Sequence, residues 1–294
     1  MDEFIADALA AGPTLSVEFF PPKTDKGLAN LEGTIDDLVE LTAPDGDAPE
    51  LSFVSITYGA GGSTRDRTRD LVVKVNSERA FPAMPHLTCM GHTRGEIDDL
   101  LADYASQGVR NVLALAGDPP ADGSEPSGDF TYATELIAAV RVAGDFSIGV
   151  AAHPELHPRS TDRGADRAHL ADKLNAADFG ITQFFFDADD YFTMVDELTE
   201  LGCTTPVLPG VMPMLNPVTV RRFAGLAGAR FPEDLAAKVE KTDSDDERME
   251  VVADAAAKLT SNLLAEGVPG LHLYSLNRSD VVRAVLERVP ELGD

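Results

Sequence analysis

Short apolar runs rich in Val, Ile and Phe recur along the chain, and stretches with helical spacing of apolar residues separate most of them. Apolar runs without polar alternation are typical of strands in a parallel sheet that is covered on both faces. They predict eight strands: Leu15–Phe20, Phe53–Tyr58, Ala83–Cys89, Asn111–Gly117, Ser147–His153, Gly180–Phe186, Pro206–Met212 and Leu271–Asn277. The other stretches predict helices at Leu28–Leu41, Arg65–Arg79, Thr93–Gln107, Thr131–Val142, Ala165–Ala176, Ala188–Leu201, Pro217–Ala227, Pro232–Ala265 and Asp280–Arg288.

Local start and stop signals support several of these helices. Thr93 is followed three residues later by Glu96, as in a capping box, and Gly108 and Gly202 lie just beyond predicted helix ends. Eight strand–helix units within 294 residues match the (β/α)8 or TIM barrel. Residues 1–294 are therefore predicted to form one barrel domain with an extra helical segment around 232–266. A doubly wound open α/β sheet is the alternative, because alternation alone does not show closure.

Polar residues stand at or just past the predicted strand ends. The stretch NVLALAGDPP illustrates this, because its apolar run ends abruptly at Gly117 and Asp118. Active sites of such barrels lie at the carboxyl ends of the strands, so convergent polar groups there predict a ligand site. A turn-forming role is the alternative for Asp118. The positions concerned are Tyr58, His86, Asp118, His153, Gln183, Pro213, Asn277 and Arg278.

Glu18 lies inside the first predicted strand, between Val17 and Phe19. A buried carboxylate must be paired or have a raised pKa. With a raised pKa, Glu18 would serve as a proton donor near neutral pH, with Asp118 as a second carboxylate on the same face. The alternative is a structural ion pair of Glu18 with Lys23 or an arginine.

Charge and composition exclude several classes of partner. The formal net charge of −26 argues against nucleic acid and anionic membranes, which are both polyanions. The acidic N-terminus and the lack of a long apolar run predict cytoplasmic residence. His153 and His157 have the spacing of a metal pair, but Pro154 and Pro158 prevent the continuous helix that would align them, so no metal is expected. The oligomeric state cannot be inferred.

Eight blocks of sequence, taken together, resemble the methylenetetrahydrofolate reductases in order and spacing over nearly the whole chain. The blocks are VEFFPPK, FVSITYGAGGSTRDRT, PHLTCMGHT, LALAGDPP, GVAAHPELHP, ITQFFFD, PGVMPMLN and LYSLNRSD. The resemblance implies a (β/α)8 barrel that reduces 5,10-methylenetetrahydrofolate to 5-methyltetrahydrofolate with a hydride from NADH or NADPH. In this family the hydride usually passes by way of FAD.

The resemblance also implies residue roles. Glu18 matches the family's acid, and Asp118 matches the carboxylate near the pterin that stabilises the iminium cation. Gln183 resembles the amide that contacts pterin and nicotinamide, Phe223 the stacking aromatic, and Arg278 the arginine on the folate tail's carboxylate. Thr219, which replaces a usual glutamine, and Asn277 complete the expected folate side. Positions matching the flavin lining are Thr57, Tyr58, Ala60, His86, Gly117, Ala133, His157, Asp166 and Lys173.

The departures from the family pattern fall mostly in that flavin lining. Ala116 stands where an arginine is common, His153 where a tyrosine is common, and His169 and Asp172 where asparagine and arginine are usual. Each lost charge-assisted hydrogen bond to the FAD diphosphate costs about 1.5–3 kcal/mol, or roughly ten- to a hundredfold in affinity. The sequence therefore favours a flavin-independent reductase, in which NADH or NADPH gives its hydride directly to the folate iminium.

Two other functions stay open at this point. An FAD-dependent reductase with ping-pong kinetics would hold the diphosphate with other groups, such as Lys173, Arg167 or Arg163. A non-catalytic folate-binding barrel is the alternative from another class, although binding alone does not require a proton donor.

Overall fold

The computed structural model describes residues 4–43, 49–58, 65–117 and 128–289. Within these ranges, nine strands form one parallel sheet in the order β7-β6-β5-β4-β3-β2-β1-β9-β8. The strands are β1 (Thr14–Phe19), β2 (Leu51–Ile56), β3 (Ala83–Thr88), β4 (Asn111–Leu115), β5 (Ser147–Ala152), β6 (Phe179–Thr182), β7 (Val207–Leu208), β8 (Gly210–Val211) and β9 (Gly270–Tyr274).

The two ends of this sheet meet at one interrupted strand. Only Pro209 separates β7, which pairs with β6, from β8, which pairs with β9. The carbonyl of Pro209 accepts a hydrogen bond from the backbone nitrogen of His272 at 3.0 Å, which maintains contact across the break. The segments β7 and β8 therefore serve as one barrel strand, and the predicted (β/α)8 barrel is confirmed over the open α/β sheet.

The helices alternate with the strands as the sequence pattern predicts. Within the described ranges they are α1 (Ile5–Ala11), α2 (Asp25–Leu41), α3 (Arg65–Glu78), α4 (Arg94–Ser106), α5 (Ala133–Ala143), α6 (Arg163–Ala176), α7 (Ala188–Glu200), α8 (Pro217–Ala227), α9 (Glu233–Glu240), α10 (Asp245–Ala265) and α11 (Ser279–Leu286). The longer helical region expected from Pro232 to Ala265 consists of two helices, because Ser244 caps a new one by accepting from Glu247 N at 3.1 Å.

Side chains alternate between the two faces of each strand. On β1, Leu15, Val17 and Phe19 join the large apolar cluster between strands and helices. Ser16 and Glu18 occupy the alternate positions and are buried as well. The outer face thus supplies the hydrophobic core, and the inner face of β1 carries polar groups into the barrel.

The short helix α1 closes the amino-terminal end of the barrel and was not predicted. Its Ile5 N donates to Asn111 Oδ1 at 2.8 Å and its Ala6 N to Ser147 Oγ at 3.1 Å, and these partners are the first residues of β4 and β5. Ile5 also packs into an interior cluster with Phe53, Met84, Leu113, Phe179, Ile181 and Leu208. A helix of seven residues is marginal without such packing, so local sequence carries little signal for it.

None of the helices in the described ranges is long and apolar enough to cross a membrane.

Candidate active site

A buried carboxylate lies between two histidines at the carboxyl end of β1. Glu18 is 7% exposed, and its Oε2 lies 3.3 Å from His86 Nε2 and 3.7 Å from His272 Nε2. His86 comes from β3 and His272 from β9, so three strands converge on one acid. The arrangement places an ionisable cluster near the C-terminal rim of the barrel, by which we mean the carboxyl ends of its strands.

The Glu18 carboxyl does not have the raised pKa expected from its burial. Burial by itself raises this pKa, but the close polar contacts with His272 and His86 and their positive charge outweigh burial and lower it to about 2. The buried carboxylate is thus paired, and its partners are imidazoles and not Lys23 or an arginine. Glu18 is therefore ionised at neutral pH and lies as an anion between the two imidazoles.

Hydrogen bonds within the barrel orient the His272 ring. Ser16 Oγ donates to the carbonyl of Leu271 at 3.0 Å and lies 2.8 Å from His272 Nδ1. Because the serine proton goes to the carbonyl, Ser16 Oγ accepts from Nδ1–H. His272 Nε2 then faces both Glu18 Oε2, at 3.7 Å, and Ser55 Oγ, at 3.4 Å.

The other histidine retains bonding capacity. His86 is buried, and its Nε2 has no aligned hydrogen-bond partner among the described residues, since the contact with Glu18 is an ion-pair distance without hydrogen-bond geometry. A buried polar nitrogen left in this state costs free energy unless a ligand or proton satisfies it. His86 therefore fits a position that touches a bound substrate.

Tyr274 fills the barrel interior beside this cluster. Its hydroxyl donates to the carbonyl of Thr182 at 2.7 Å, and burial together with the Glu18 charge raises its pKa well above the usual value. A side chain at Gly210 would lie 2.6 Å from the Tyr274 ring and 2.5 Å from the Thr182 carbonyl. Glycine at this point of β8 thus makes room for a neutral phenol, which remains a hydrogen-bond donor at all ordinary pH.

The turn after β9 is tied to the end of β1. Asn277 Oδ1 accepts from Phe20 N at 2.8 Å, its Nδ2 donates to Phe20 O at 2.9 Å, and Ser275 Oγ donates to Glu18 O at 2.6 Å. Leu276 and Asn277 have positive φ values of 53° and 60°, which cost free energy in residues other than glycine. The side chain predicted to bind folate at Asn277 is thus engaged with backbone, where it fixes Arg278 relative to Glu18.

The remaining predicted folate-side residues are spread around the same rim. Gln183 follows β6, and its Oε1 accepts from Phe184 N at 3.2 Å. Phe223 is partly buried and Thr219 exposed, one turn apart on α8. Arg278 is exposed and forms a bidentate ion pair with Asp280. Among these, only Arg278 carries a charge, and Asp280 already neutralises it.

A second histidine pair lies in the loop after β5. The rings of His153 and His157 contact edge to face, with centroids 4.7 Å apart. Burial and the positive charges of His157, Lys173, Arg167 and Arg159 lower the pKa of His153 to about 3, so this ring stays neutral. The loop therefore lies in a positive environment, in contrast to the surroundings of Glu18.

Lys173 of α6 is a buried cation of this region without a bonded anion among the described residues. Burial lowers its pKa to about 8, and the charge of Asp166 opposes that shift. No carboxylate of the described residues lies within ion-pair distance of its ammonium. A desolvated, unpaired ammonium fits an anionic ligand such as a phosphate.

The two neighbouring arginines are already paired. Arg163 binds Glu197 through Nε at 2.5 Å and Nη2 at 3.0 Å, and Arg167 binds the same carboxylate through Nε at 2.7 Å. Arg167 also binds Asp166 at 2.9 Å, so the carboxylate predicted to line the cofactor site is engaged too. Of the three cations suggested to replace the family's diphosphate ligands, only Lys173 is available.

Other residues predicted to line the cofactor lie at neighbouring strand ends. Thr57 N donates to Phe19 O at 2.9 Å, Tyr58 OH lies 3.4 Å from His92 Nε2, and Ala133 begins α5. Ala116 O accepts from Met90 N at 2.9 Å, and Gly117 has a φ of 91° that favours glycine. Asp118 and Ala60 lie outside the described residues, so the predicted meeting of Asp118 with Glu18 stays a prediction.

The described residues contain no cluster of three or more His, Cys, Asp or Glu side chains that could hold a metal ion.

Comparison with known proteins decides the family. The sequence model of the family described as "Methylenetetrahydrofolate reductase" matches residues 4–290. The chain belongs to this family. It is 35% identical over 273 residues to "5,10-methylenetetrahydrofolate reductase" of Escherichia coli, covering 92% of this chain and 88% of that protein. It is also 35% identical over 301 residues to "Probable methylenetetrahydrofolate reductase (NADH)" of Oryza sativa, covering 97% of this chain and 49% of that longer protein.

A solved structure supports the fold independently of sequence. An uncharacterized protein from Clostridium thermocellum, described as binding two copies of 5-methyl-5,6,7,8-tetrahydrofolic acid, has a TM-score of 0.61 over 97% of both chains. Its sequence identity of 13% limits the likeness to the barrel fold.

The surroundings of Glu18 include residues that sequence reasoning did not single out. Ser16, His272 and Tyr274 contact or surround Glu18, yet none was singled out as a site residue. A signal existed in the last strand, because His272 and Tyr274 alternate with Leu271 and Leu273 and so share the inner face. Polar residues at alternate positions of an otherwise apolar strand would have indicated them.

Proposed function

We propose that this chain reduces 5,10-methylenetetrahydrofolate to 5-methyltetrahydrofolate with NADH or NADPH, the hydride passing directly from nicotinamide to folate. Membership of the reductase family supports the reaction, and the rice relative's name supports NADH as donor. The observation that carries the proposal is the Glu18 carboxylate between His86 and His272. A folate-binding barrel without catalysis has no need for this buried proton-holding unit.

The reaction needs one proton and one hydride. When the five-membered ring of the substrate opens, N10 gains a proton and an iminium cation forms at N5; the hydride then adds to the methylene carbon, and NAD⁺ leaves. The unit of Glu18, His86 and His272 supplies the proton and regains it from solvent. The negative charge of Glu18, with Asp118 as predicted, favours the cation that precedes hydride transfer.

The cofactor side supports direct transfer. A flavin dinucleotide carries a diphosphate, yet Arg163 and Arg167 both bind Glu197, and Ala116 offers no charge. Among the described residues, Lys173 is then the one family cation retained near the phosphates of FAD, which the family usually holds with more positive groups. We therefore derive no step through FAD, and both substrates must be bound at the same time.

The Lys173 ammonium also favours a second candidate, because an unpaired cation in this position suits the diphosphate of either dinucleotide. An FAD-containing reductase would use the same proton unit and differ only in the hydride donor.

The test uses the purified protein. We expect oxidation of NADH that depends on 5,10-methylenetetrahydrofolate, with 5-methyltetrahydrofolate as the product identified by chromatography. We also expect an absorbance spectrum without flavin bands. A flavin spectrum would refute direct transfer but leave the reductase proposal standing, whereas folate binding without any NADH or NADPH oxidation would refute the reductase itself.

A further inference from the structure

Arg167 is a buried residue whose guanidinium group uses all of its N–H donors in hydrogen bonds. The residue is 2% exposed, and each of its N–H donors has an acceptor. Nε donates to Glu197 Oε2 at 2.7 Å and Nη1 to Asp166 Oδ2 at 2.9 Å. The remaining donors go to three successive backbone carbonyls of the loop after β5: His153 O at 3.1 Å, Pro154 O, and Glu155 O at 2.8 Å.

Burial of this guanidinium is unfavourable unless its charge and all its donors are satisfied. The two carboxylates balance the positive charge of the guanidinium. The three carbonyls lie in a loop, where water is an alternative hydrogen-bond donor, so they do not by themselves require a buried arginine. Only the fork of an arginine reaches all these acceptors at once, because a lysine carries a single nitrogen. The position therefore requires arginine for its geometry and not merely for its charge.

The three carbonyls belong to the segment that presents the second histidine pair. His153 and His157 lie in this loop in edge-to-face contact, and Lys173 acts on His153 from the neighbouring helix. We propose that Arg167 is a positioning residue: by holding the backbone of residues 153–155, it places His153 and His157 for the nicotinamide dinucleotide. The inference rests on the proposed function, since it assigns that loop to the dinucleotide.

Arg163 provides a matched control within the same helix. It binds the same Glu197 carboxylate and so joins α6 to α7 just as Arg167 does. Its side chain is 49% exposed, and it makes no hydrogen bond to the loop after β5 within the described chain. A substitution at Arg163 thus tests the link between the helices without disturbing the loop.

The experiment compares Arg167→Lys with Arg163→Lys in the full chain. Each variant keeps its positive charge, and Arg167→Lys loses the hydrogen bonds to most of the loop carbonyls. We expect the Kd for NADH, measured by fluorescence titration, and the KM for NADH to rise about tenfold or more in Arg167→Lys, the loss expected for a weakened loop contact. In Arg167→Lys the KM for the folate should stay within about twofold of the parent value. In Arg163→Lys the Kd for NADH and both KM values should also stay within about twofold of the parent values.

A spectroscopic readout separates positioning from general stability. In NMR spectra of the ring nitrogens, we expect the His153 and His157 signals to shift in Arg167→Lys and those of His272 to remain. Unchanged His153 and His157 signals with an unchanged Kd for NADH would overturn the proposal. Equal losses for NADH and folate would likewise overturn it, because they indicate a purely structural role.

If Arg167→Lys does not fold, Glu197→Gln provides the second variant, since it weakens the anchor of Arg167 Nε without touching the loop. We expect a smaller rise in the Kd for NADH alone, and no rise would overturn the proposal. A parent protein that binds NADH but shows no folate-dependent oxidation refutes the proposed function without deciding the role of Arg167, which the binding and NMR measurements still test.

Discussion

The two histidine pairs at the C-terminal rim of the barrel lie in surroundings of opposite charge. His86 and His272 flank the Glu18 carboxylate, at 3.3 and 3.7 Å, so an anion lies between them. Burial, together with the positive charges of His157, Lys173, Arg167 and Arg159, lowers the pKa of His153 to about 3. The first pair thus faces an anion, whereas His153 of the second pair is surrounded by cations and stays neutral.

The comparison teaches that residue type alone does not assign a role in this barrel. The pair around Glu18 serves proton transfer to the folate under the proposed function. Under the same proposal, the Lys173 ammonium beside the β5–α6 loop binds the anionic dinucleotide. Removing the charge beside the first pair should therefore affect the reaction of the folate, and removing the charge beside the second pair should affect the binding of the dinucleotide.

The largest effect is expected for Glu18→Gln, which removes the anion from the first pair. Because glutamine carries no negative charge and takes no part in proton transfer, we expect kcat to fall by about 10²–10⁴-fold, the usual range for a general acid. The Kd for NADH should remain unchanged, because the second pair is untouched. Steady-state assays and fluorescence titration measure the two quantities.

Glu32→Gln is the control for this change, since Glu32 is a partly exposed carboxylate paired with Lys74 on the outside of the barrel. It should leave kcat unaltered. Full activity of Glu18→Gln would remove Glu18 and its two histidines from the mechanism.

A smaller effect is expected for Ser16→Ala, which removes the acceptor of His272 Nδ1–H at 2.8 Å. The ring then loses its fixed orientation toward Glu18, and kcat/KM should fall about tenfold, as for one lost hydrogen bond to a charged group. Ser55→Ala removes a hydroxyl that lies 3.4 Å from Nε2, and it should have a weaker effect. An unchanged kcat/KM in Ser16→Ala would contradict the role assigned to Ser16.

The smallest effect concerns Lys173 and pH. Its lowered pKa of about 8 means that the ammonium is present below that pH and neutral above it. The KM for NADH should therefore rise severalfold as pH increases through about 8, because the phosphate loses its cation. In Lys173→Arg the charge persists and the rise should disappear. A rise of equal size in both proteins would show that another group titrates.

Sequence patterns predicted the barrel and the burial of Glu18, because both depend on local apolar runs. They did not reveal the partners of Glu18, since His272 lies more than 250 residues away and meets β1 only when the barrel closes. In the register of that pairing, Ser16 lies opposite His272 and Glu18 opposite Tyr274. No local feature of either segment predicts this pairing.

The predicted cofactor site shows the same limit of sequence reasoning, because the ion pairs of its charged residues also depend on the fold. Arg163 and Arg167 were reasonable candidates for a diphosphate from sequence, because both lie near the start of a helix that follows a strand end. Their partner Glu197 belongs to the next helix, and only packing of α6 against α7 brings it within 3 Å of them. The availability of a charge is thus a property of the fold and not of the residue.

The central claim is that nicotinamide and folate meet directly, with the proton unit around Glu18 on one side and the Lys173 region on the other. Initial velocities at several fixed folate concentrations, with NADH varied, test it most directly. Double-reciprocal lines that intersect are predicted, because both substrates must be bound together. Parallel lines would contradict the claim, since they indicate a reduced intermediate on the enzyme between two separate half-reactions.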